Sequence, residues 1–449
     1  MSAADAADPP ESNHVITPQL GELLDGPEGR GLCPGVNCCA RCGGGEKGLE
    51  ACPVCDRVAY CGAACLHADR KVHKLVCPLL QNMEELGDVD YSGGTSAAGE
   101  AHAEQHAALF QAALGRLEQH GLPEDWDALF VADADLAGQR LLSARLSYPL
   151  SLGWCLAQLP GLRTLRRTLA PKADACNLPG AGAASAAKAT ATSWVDVLIL
   201  GASAAECGVE PVGLWALTAP RRSPGSPEGA GLRLTFVGPE VPSELSGAEV
   251  TPPPVPASSA GSLAPRLMLR YFRGSFDAFC AAGSATRVGG SHSQSQRGEQ
   301  RLAAWLALDA QVLQVNAVVS FNPGFTCPDY NWSVGELAHS CEDTPFVLVT
   351  NTVTESNLDR ACLAADHGVG LAKVTQVRNP FAWLAWRQSG TLANDVYRKN
   401  SAVLAGRVRQ ASGGGAVGGG GHESYADLAR QVSKSGGKKG KRKSKKARR

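Results

Sequence analysis

Nine of the sixteen cysteines lie between Cys33 and Cys77, within a tenth of the 449 residues. Eight residues of this stretch form four close pairs, each with two or three residues between its members: Cys39 and Cys42, Cys52 and Cys55, Cys61 and Cys65, His73 and Cys77. Zinc prefers thiolate and imidazole ligands, and four of them complete a tetrahedral site. The eight residues therefore predict two structural Zn2+ ions, neither with a position open for water or substrate.

The spacing leaves the partition of these ligands open, because consecutive pairs could bind consecutive ions or could alternate. Cys38 competes with Cys39, but only Cys39 has the two-residue spacing to Cys42. A disulfide framework is the alternative use of so many cysteines, although paired knuckles favour metal. The segment is short and rich in glycine, so metal binding should supply most of its folding free energy, about 10 kcal/mol per zinc.

The eight ligands and the Tyr60-Cys61 dipeptide resemble a MYND zinc finger over residues 39–77. The resemblance implies a cross-brace, with Cys39, Cys42, Cys61 and Cys65 at one zinc and Cys52, Cys55, His73 and Cys77 at the other. It also implies a protein partner, because MYND fingers usually present a shallow groove to proline-rich peptides. The family commonly has Asp-Trp where this chain has Asp69-Arg70, and the missing aromatic ring removes a surface for proline. A finger that only stabilises the chain locally is the alternative.

The segments on either side of the finger differ in composition. Residues 1–38 begin with an acidic stretch and predict a disordered lead, unlike the Arg-rich transit peptides of mitochondrial proteins. We therefore expect the cytoplasm or nucleus rather than the mitochondrion. Residues 78–193 have leucines and alanines at helical spacing and predict helices joined by linkers, with breaks at Pro78, Pro149 and Pro160. No apolar run is long enough to cross a membrane, so no membrane partner is expected.

Short apolar runs alternate with helical patterns over residues 194–408. Five of these runs begin at Trp194, Leu232, Leu267, Ala317 and Pro345. Buried parallel strands have this continuous apolar character, and their alternation with helices is typical of a parallel sheet. The sequence therefore predicts an α/β fold: a two-zinc cross-brace finger, then helices, then a Rossmann-like, mostly parallel domain of three layers.

The carboxyl ends of parallel strands are where α/β folds bind ligands. We therefore consider a nucleotide or S-adenosylmethionine site with Gly201 in the first turn and Glu240 holding a ribose. The turn lacks clustered glycines, and 39 positions separate the two residues where about 20 are usual. Spacing identifies no catalytic Ser-His-Asp or Cys-His set, so the domain is expected to have no reaction of its own.

A second resemblance covers residues 194–408. Its motifs are Gly238-Pro239-Glu240, the turn from Ser320 to Gly324, Asn351 with Glu355, Asn379-Pro380-Phe381, and Asn394-Asp395-Val396-Tyr397 with Asn400. They are similar to the C-terminal domain of the mitochondrial splicing-suppressor family, in which that domain follows a MYND finger. The founding fungal members are translational activators for a mitochondrial respiratory-chain subunit. This chain departs from them in its acidic start and its insertions, so their compartment is not carried over.

The last 41 residues, 409–449, are glycine-rich and then basic. Residues 434–449 carry ten lysines or arginines and no acid, which leaves 33 basic against 43 acidic residues in the rest of the chain. Such a block is typical of a disordered tail. It is compatible with nuclear targeting, with nonspecific contact with RNA or ribosomes through phosphates, and with loose contact with the acidic body of the chain, and a merely solvated tail is the alternative. The sequence as a whole predicts a zinc-binding protein-interaction adaptor in gene expression or translation regulation. An S-adenosylmethionine-dependent methyltransferase with a recruiting finger is the alternative.

Overall fold

The computed structural model describes residues 39–42, 48–81, 83, 99–130, 136–169, 194–209, 212–218, 230–252, 266–285, 315–325, 333–388 and 396–411. The predicted disordered lead and the basic tail lie outside these ranges. The domain boundaries at 38, 77, 193 and 408 stay predictions. No helix in the described ranges combines the length and apolar character needed to span a membrane.

The N-terminal described segment is a small hairpin followed by a helix. Strands β1 (Glu50–Ala51) and β2 (Ala59–Tyr60) pair antiparallel, and helix α1 covers Ala63–Gln81. The predicted stop at Pro78 is wrong, because the helix continues for three more residues. A proline in the last turn removes only one backbone hydrogen bond, and the buried side chain of Leu80 holds that turn against the finger.

Among the residues that the structure describes between the finger and the sheet, four helices follow: α2 (Gly99–His120), α3 (Trp126–Leu129), α4 (Leu136–Gln158) and α5 (Arg163–Leu169). The chain breaks near Pro160, as predicted, but α4 runs through Pro149. Helix α4 is buried around much of its circumference, with Leu146, Tyr148, Leu150 and Leu152 nearly inaccessible. This burial offsets the hydrogen bond that Pro149 cannot donate.

An eight-stranded sheet is built from strands between Trp194 and Gln410. Its strands are β3 (Trp194–Leu200), β4 (Gly231–Gly238), β5 (Glu249–Val250), β6 (Leu267–Arg273), β7 (Ala317–Phe321), β8 (Pro345–Thr350), β9 (Val369–Arg378) and β12 (Ala402–Gln410). Their order is β5-β6-β4-β3-β7-β8-β12-β9. The five predicted strands are the parallel centre, β6-β4-β3-β7-β8, whereas β5 and β12 run antiparallel to their neighbours. The sheet is therefore mostly parallel.

Helices cover both faces of this sheet. Along β3, Val195, Val197 and Ile199 face a core shared with α2, α4 and α5 and with a 3-10 helix at Val212–Thr218. Leu198 and Leu200 face a second core, shared with α7 (Phe276–Ala285), α8 (Glu336–Ser340) and α9 (Val353–His367). The two sets alternate along the strand, because successive side chains of a strand point to opposite faces of the sheet. The short helix α6 (Ala204–Cys207) follows β3 directly.

A second small hairpin joins the finger to the sheet domain. Its strands, β10 (Arg387–Gln388) and β11 (Val396–Tyr397), pair antiparallel. Val396 is buried in the apolar cluster of the finger, and Trp386 packs against the same cluster. Gln388 Nε2 also donates to the carbonyl oxygen of Arg57 at 3.3 Å. The finger is therefore packed on the α/β domain.

Gly238 is required where the chain leaves β4. A Cβ atom at this position would lie 2.0 Å from the carbonyl oxygen of Ala202 and 2.6 Å from its backbone nitrogen. We expect Gly238→Ala to lower the free energy of unfolding by about 1 to 3 kcal/mol, because neither backbone can move away without distorting the sheet. Denaturant unfolding measures this. Gly115→Ala on α2, where a Cβ meets nothing within 4 Å, is the control and should cost nothing. Equal stability of the two variants would contradict the close approach.

Candidate metal centre and carboxyl-edge cavity

The eight predicted ligands come together as two groups of four. The first group contains Cys39, Cys42, Cys61 and Cys65, and the second contains Cys52, Cys55, His73 and Cys77. Within each group the ligand atoms all lie within 4.8 Å of one another. The grouping alternates along the chain, as the cross-brace requires, and excludes the consecutive pairing that spacing alone left open.

The distances between ligand atoms match the edges of a zinc tetrahedron. A Zn–S bond length of about 2.3 Å gives a sulfur-sulfur edge of about 3.8 Å. The distance from Cys42 Sγ to Cys61 Sγ is 3.7 Å, and that from Cys61 Sγ to Cys65 Sγ is 3.5 Å. In the second group, Cys52 Sγ lies 3.9 Å from Cys77 Sγ. The donor set and its spacing therefore fit zinc.

The imidazole of His73 completes the second group. Its Nε2 lies 3.2 Å from Cys52 Sγ and 3.8 Å from Cys55 Sγ. The ring of Tyr60 packs edge-on against it, with the centroids 5.9 Å apart. Tyr60 in turn donates its hydroxyl to Asp69 Oδ2 at 2.8 Å, and Asp69 is fully buried. These contacts fix the helix that carries His73, so the imidazole is presented to the sulfurs in one orientation.

Backbone hydrogen bonds and a tight turn orient the cysteine side chains toward the metal sites. The amide of Cys52 donates to Val58, and that of Asp56 donates back to Cys52, which closes the first knuckle of the second site. Asp56 adopts φ of 53°, a left-handed conformation that the tight turn needs. The amide of Ala40 donates to Ala59 at 2.8 Å and ties the first knuckle to β2. The two knuckles therefore share one hairpin.

The pKa values of the cysteine thiols show why a bound cation stabilises this group of ligands. Burial raises the pKa of Cys52, but hydrogen bonds from the amides of Cys55 and Val54 outweigh it and lower the pKa to about 6. Burial, followed by the negative charge of Cys55 and Cys52, raises the pKa of Cys77 to about 12. The sulfurs cannot all ionise side by side without a positive charge between them. A divalent ion removes this conflict, and metal binding is therefore coupled to folding.

A cleft of about 210 Å³ opens at the carboxyl ends of the central strands. Gly201, Ser203 and Glu206 line it from the turn after β3, and Glu240 from the loop after β4. Asn322 follows β7, while Tyr148 of α4 and Lys399 complete the wall, together with Ala202, Ala205, Pro239, Phe321 and Pro323. The structure thus places Gly201 and Glu240 at one cavity, despite the long sequence interval between them.

Glu206 caps the N-terminus of helix α6. Its Oε2 accepts hydrogen bonds from the backbone nitrogen of Ser203 at 2.8 Å and from the Ser203 hydroxyl at 2.6 Å. Burial raises the pKa of Glu206, while the bonds from Ser203 and the charge of Lys399 act in the opposite direction. The carboxyl group therefore occupies the place where the N-terminus of a helix would bind an external anion.

A buried network of amides and hydroxyls lies beside the cavity. Asn322 Nδ2 donates to Asn400 Oδ1 at 2.7 Å, and Asn400 Nδ2 donates to Ser147 Oγ at 2.9 Å. Asn379 Nδ2 donates to Ser151 Oγ and to the carbonyl of Asn400, at 2.7 and 2.6 Å. Three of the motifs that the sequence singled out separately therefore belong to one network. The serines of this network, Ser147 and Ser151, were not identified from the sequence.

The missed serines have a sequence pattern that could have identified them. Ser143, Ser147 and Ser151 recur every fourth residue along α4, and all three are fully buried. Ser143 Oγ accepts from the backbone nitrogen of Leu384 at 2.9 Å, and Ser147 Oγ donates to the carbonyl of Phe381 at 2.6 Å. A stripe of hydroxyls on an apolar helix indicates a polar neighbour across the interface.

The fold and the site define a mixed α/β protein that carries a two-zinc, cross-brace finger at its N-terminal end. Residues 39–77 match the family model described as MYND finger, and the two groups of ligands bind two zinc ions. A search of curated proteins finds no match to the chain. The resemblance of residues 194–408 to the splicing-suppressor family has no support from these comparisons and stays a prediction.

Zinc content tests the ligand assignment. The full chain should contain two equivalents of zinc, and Cys52→Ser should lose at least the ion of the second group, because serine does not replace a thiolate ligand. Cys280→Ser is the matched control: Cys280 lies outside both groups, beside Ser340. Elemental analysis of the purified proteins measures the difference. Full zinc content in Cys52→Ser, or loss in Cys280→Ser, would contradict the assignment.

Proposed function

We propose that this protein is a zinc-dependent protein-interaction adaptor, in which the MYND finger binds a partner and the α/β domain holds the finger. MYND fingers mediate protein-protein interaction, and this finger has all eight ligands in place. The protein supplies four ligands to each ion, so the metal has no open position for chemistry. The zinc ions thus shape a binding surface.

The exposed apolar side chains of the finger carry the proposal. Within the described ranges, the large hydrophobic residues that are exposed are Val54, Leu66 and Leu75, at 56%, 41% and 44%. Each lies within two residues of a zinc ligand: Val54 inside the first knuckle of the second site, Leu66 beside Cys65, and Leu75 two residues after His73. Loading with zinc therefore fixes their positions. We propose that these apolar groups, held in place by the metal, are contacts of the protein partner.

Charge on the same helix narrows the class of partner. Arg70, Lys71 and Lys74 are exposed on α1, and Arg70 stands where the family commonly has an aromatic residue. Without that ring, a proline must pack on aliphatic side chains, and the cations favour acidic groups. The partner we propose is a proline-rich peptide that also carries acidic residues.

The role of the α/β domain in this proposal is mechanical. When the parallel strands are numbered in chain order, the central sheet has the order 3-2-1-4-5, which supports the Rossmann-like assignment. Val396 and Trp386 anchor the finger on this domain. We propose that the domain acts as a scaffold with no reaction of its own, in the cytoplasm or nucleus. Contact with RNA or ribosomes through residues 434–449 stays a prediction about a segment outside the described ranges.

Binding of labelled peptides tests the adaptor function. Zinc-loaded full chain should bind acidic, proline-rich peptides in fluorescence anisotropy, and Val54→Asp should weaken binding about tenfold or more, because a charge replaces an apolar contact. Gln111→Ala, an exposed change on α2, is the control and should bind as the wild type does. Wild-type affinity in Val54→Asp with both zinc ions retained, or no binding by any peptide of the set, would overturn the proposal.

The alternative is an S-adenosylmethionine-dependent methyltransferase with the finger as recruiting module. The cavity at the carboxyl ends of β3, β4 and β7 favours it, because this is where a Rossmann-like domain binds its ligand. Such an enzyme would release S-adenosylhomocysteine when it is supplied with S-adenosylmethionine and protein or peptide acceptors. Turnover that depends on the added acceptor would support the enzyme. Absence of turnover from a folded, zinc-loaded chain would eliminate it.

A further inference from the structure

We propose that the carboxyl-edge cavity is a binding site for a ribonucleoside without phosphate near its ribose, the class that includes adenosine and S-adenosyl compounds. The inference does not depend on the adaptor function, and it requires no catalysis. It rests on four observations: the position of the cavity, an acidic side chain with no partner among the described residues, a helix N-terminus that is already capped by a side chain, and a buried acceptor with no donor among the described residues.

The position of the cavity is the first argument. Strand β3 pairs with β4 on one side and with β7 on the other, so the chain leaves β3 at the point where the order of the parallel strands reverses. The connections from neighbouring strands diverge there and leave a crevice, in which α/β sheets bind their ligands. The cavity is lined by residues that follow β3, β4 and β7.

Glu240 supplies the group that recognises a ribose. It follows the end of β4 by two residues, is exposed, and lines the cavity. Its side chain has no hydrogen bond or ion pair within the described part of the chain. A carboxylate has acceptor sites for both hydroxyls of a vicinal diol, and an acid after the second strand has this role in dinucleotide-binding sheets. The chain between β3 and β4, which includes the 3-10 helix, lengthens the sequence interval without moving this acid away from the cavity.

The N-terminus of α6 is already capped by Glu206, and this excludes a phosphate group from that part of the cavity. In dinucleotide sites, the pyrophosphate lies on the amides of a glycine-rich turn and a helix N-terminus. Here Glu206 Oε2 already accepts from the Ser203 amide and hydroxyl, and α6 has only four residues. A phosphate would have to displace a carboxyl group of the protein.

Asn322 supplies an acceptor that no group in the described part of the chain satisfies. Asn322 lines the cavity, and its backbone has a φ angle of 44°. Its Nδ2 donates a hydrogen bond to Asn400 Oδ1. This bond fixes the amide so that Oδ1 is the remaining acceptor, and Oδ1 is buried without a hydrogen-bond partner. A buried acceptor without a donor is destabilising. An exocyclic amine or a hydroxyl of a nucleoside would supply the missing donor.

Calorimetric titration of the zinc-loaded full chain tests the site. Adenosine, S-adenosylmethionine and S-adenosylhomocysteine should each bind, and ATP and NAD should bind at least about tenfold more weakly, because their phosphates meet the carboxyl group of Glu206. No binding by any of the three phosphate-free compounds at millimolar concentration would overturn the proposal. Binding of ATP or NAD as tight as that of adenosine would overturn the assigned class.

A double cycle tests the role of Glu240. Glu240→Gln should weaken adenosine about tenfold, as should removal of the ribose 2′-hydroxyl, because each change loses the same charged hydrogen bond. The Glu240→Gln variant and the wild type should therefore bind 2′-deoxyadenosine with the same reduced affinity. Glu244→Gln, an exposed change four residues further along the loop and outside the cavity, should leave adenosine binding unchanged. Fully additive losses would show that Glu240 does not contact the ribose and would overturn the assignment.

Discussion

The bonds between the two zinc ions and their eight ligands are the constraint on which the finger depends. The hairpin of β1 and β2 has only two residues in each strand, and the segment buries few side chains besides its ligands. Two short strands do not hold together in water without further support. Because the sites interleave, each ion joins a knuckle to a more distant part of the chain. The metal therefore closes the whole segment into one unit.

The same unit is attached to the α/β domain by a short stretch of chain. Val396 lies in the core of the finger, and Arg398 stacks on Trp386 at 4.5 Å. Lys399 then lines the cavity, and Asn400 holds Asn322 through its side-chain oxygen. Four residues thus connect the zinc-held core to the wall of the cavity. Rigid placement of the finger and the shape of the cavity are consequences of the same contacts.

How much of this could be predicted depends on whether the determinant is local. The ligand pairs are local, so spacing identified all eight, but it could not choose their partition, which requires contacts such as Cys52 with Cys77. The five central strands have continuous apolar sequences and were predicted. Strand β9 was missed, because it is an edge strand with several exposed polar positions, and so was β12 beside it.

The buried network of asparagines and serines shows most clearly what could not be predicted from the sequence. Asn322 and Asn400 are 78 residues apart and Asn400 and Ser147 are 253 apart, so no local pattern joins them. Residues 194–408 were expected to contain these asparagines as separate motifs, and only the fold brings them to one cavity. The proline at position 149 was misjudged for a related reason. Helix propensity is a local quantity, whereas the burial that keeps α4 continuous comes from the sheet.

The chain of contacts from the finger to the cavity has a thermodynamic consequence. A ligand that donates to Asn322 Oδ1 stabilises the arrangement in which Asn322 holds Asn400, and with it the segment that inserts Val396 into the finger. Linkage is reciprocal, so zinc binding would stabilise binding of the proposed nucleoside by the same free energy. The size of this coupling is limited by the difference in ligand affinity between the ordered and disordered states of that segment. If the α/β domain is the scaffold that we propose, occupancy of its cavity would therefore stabilise the position of the finger without any reaction.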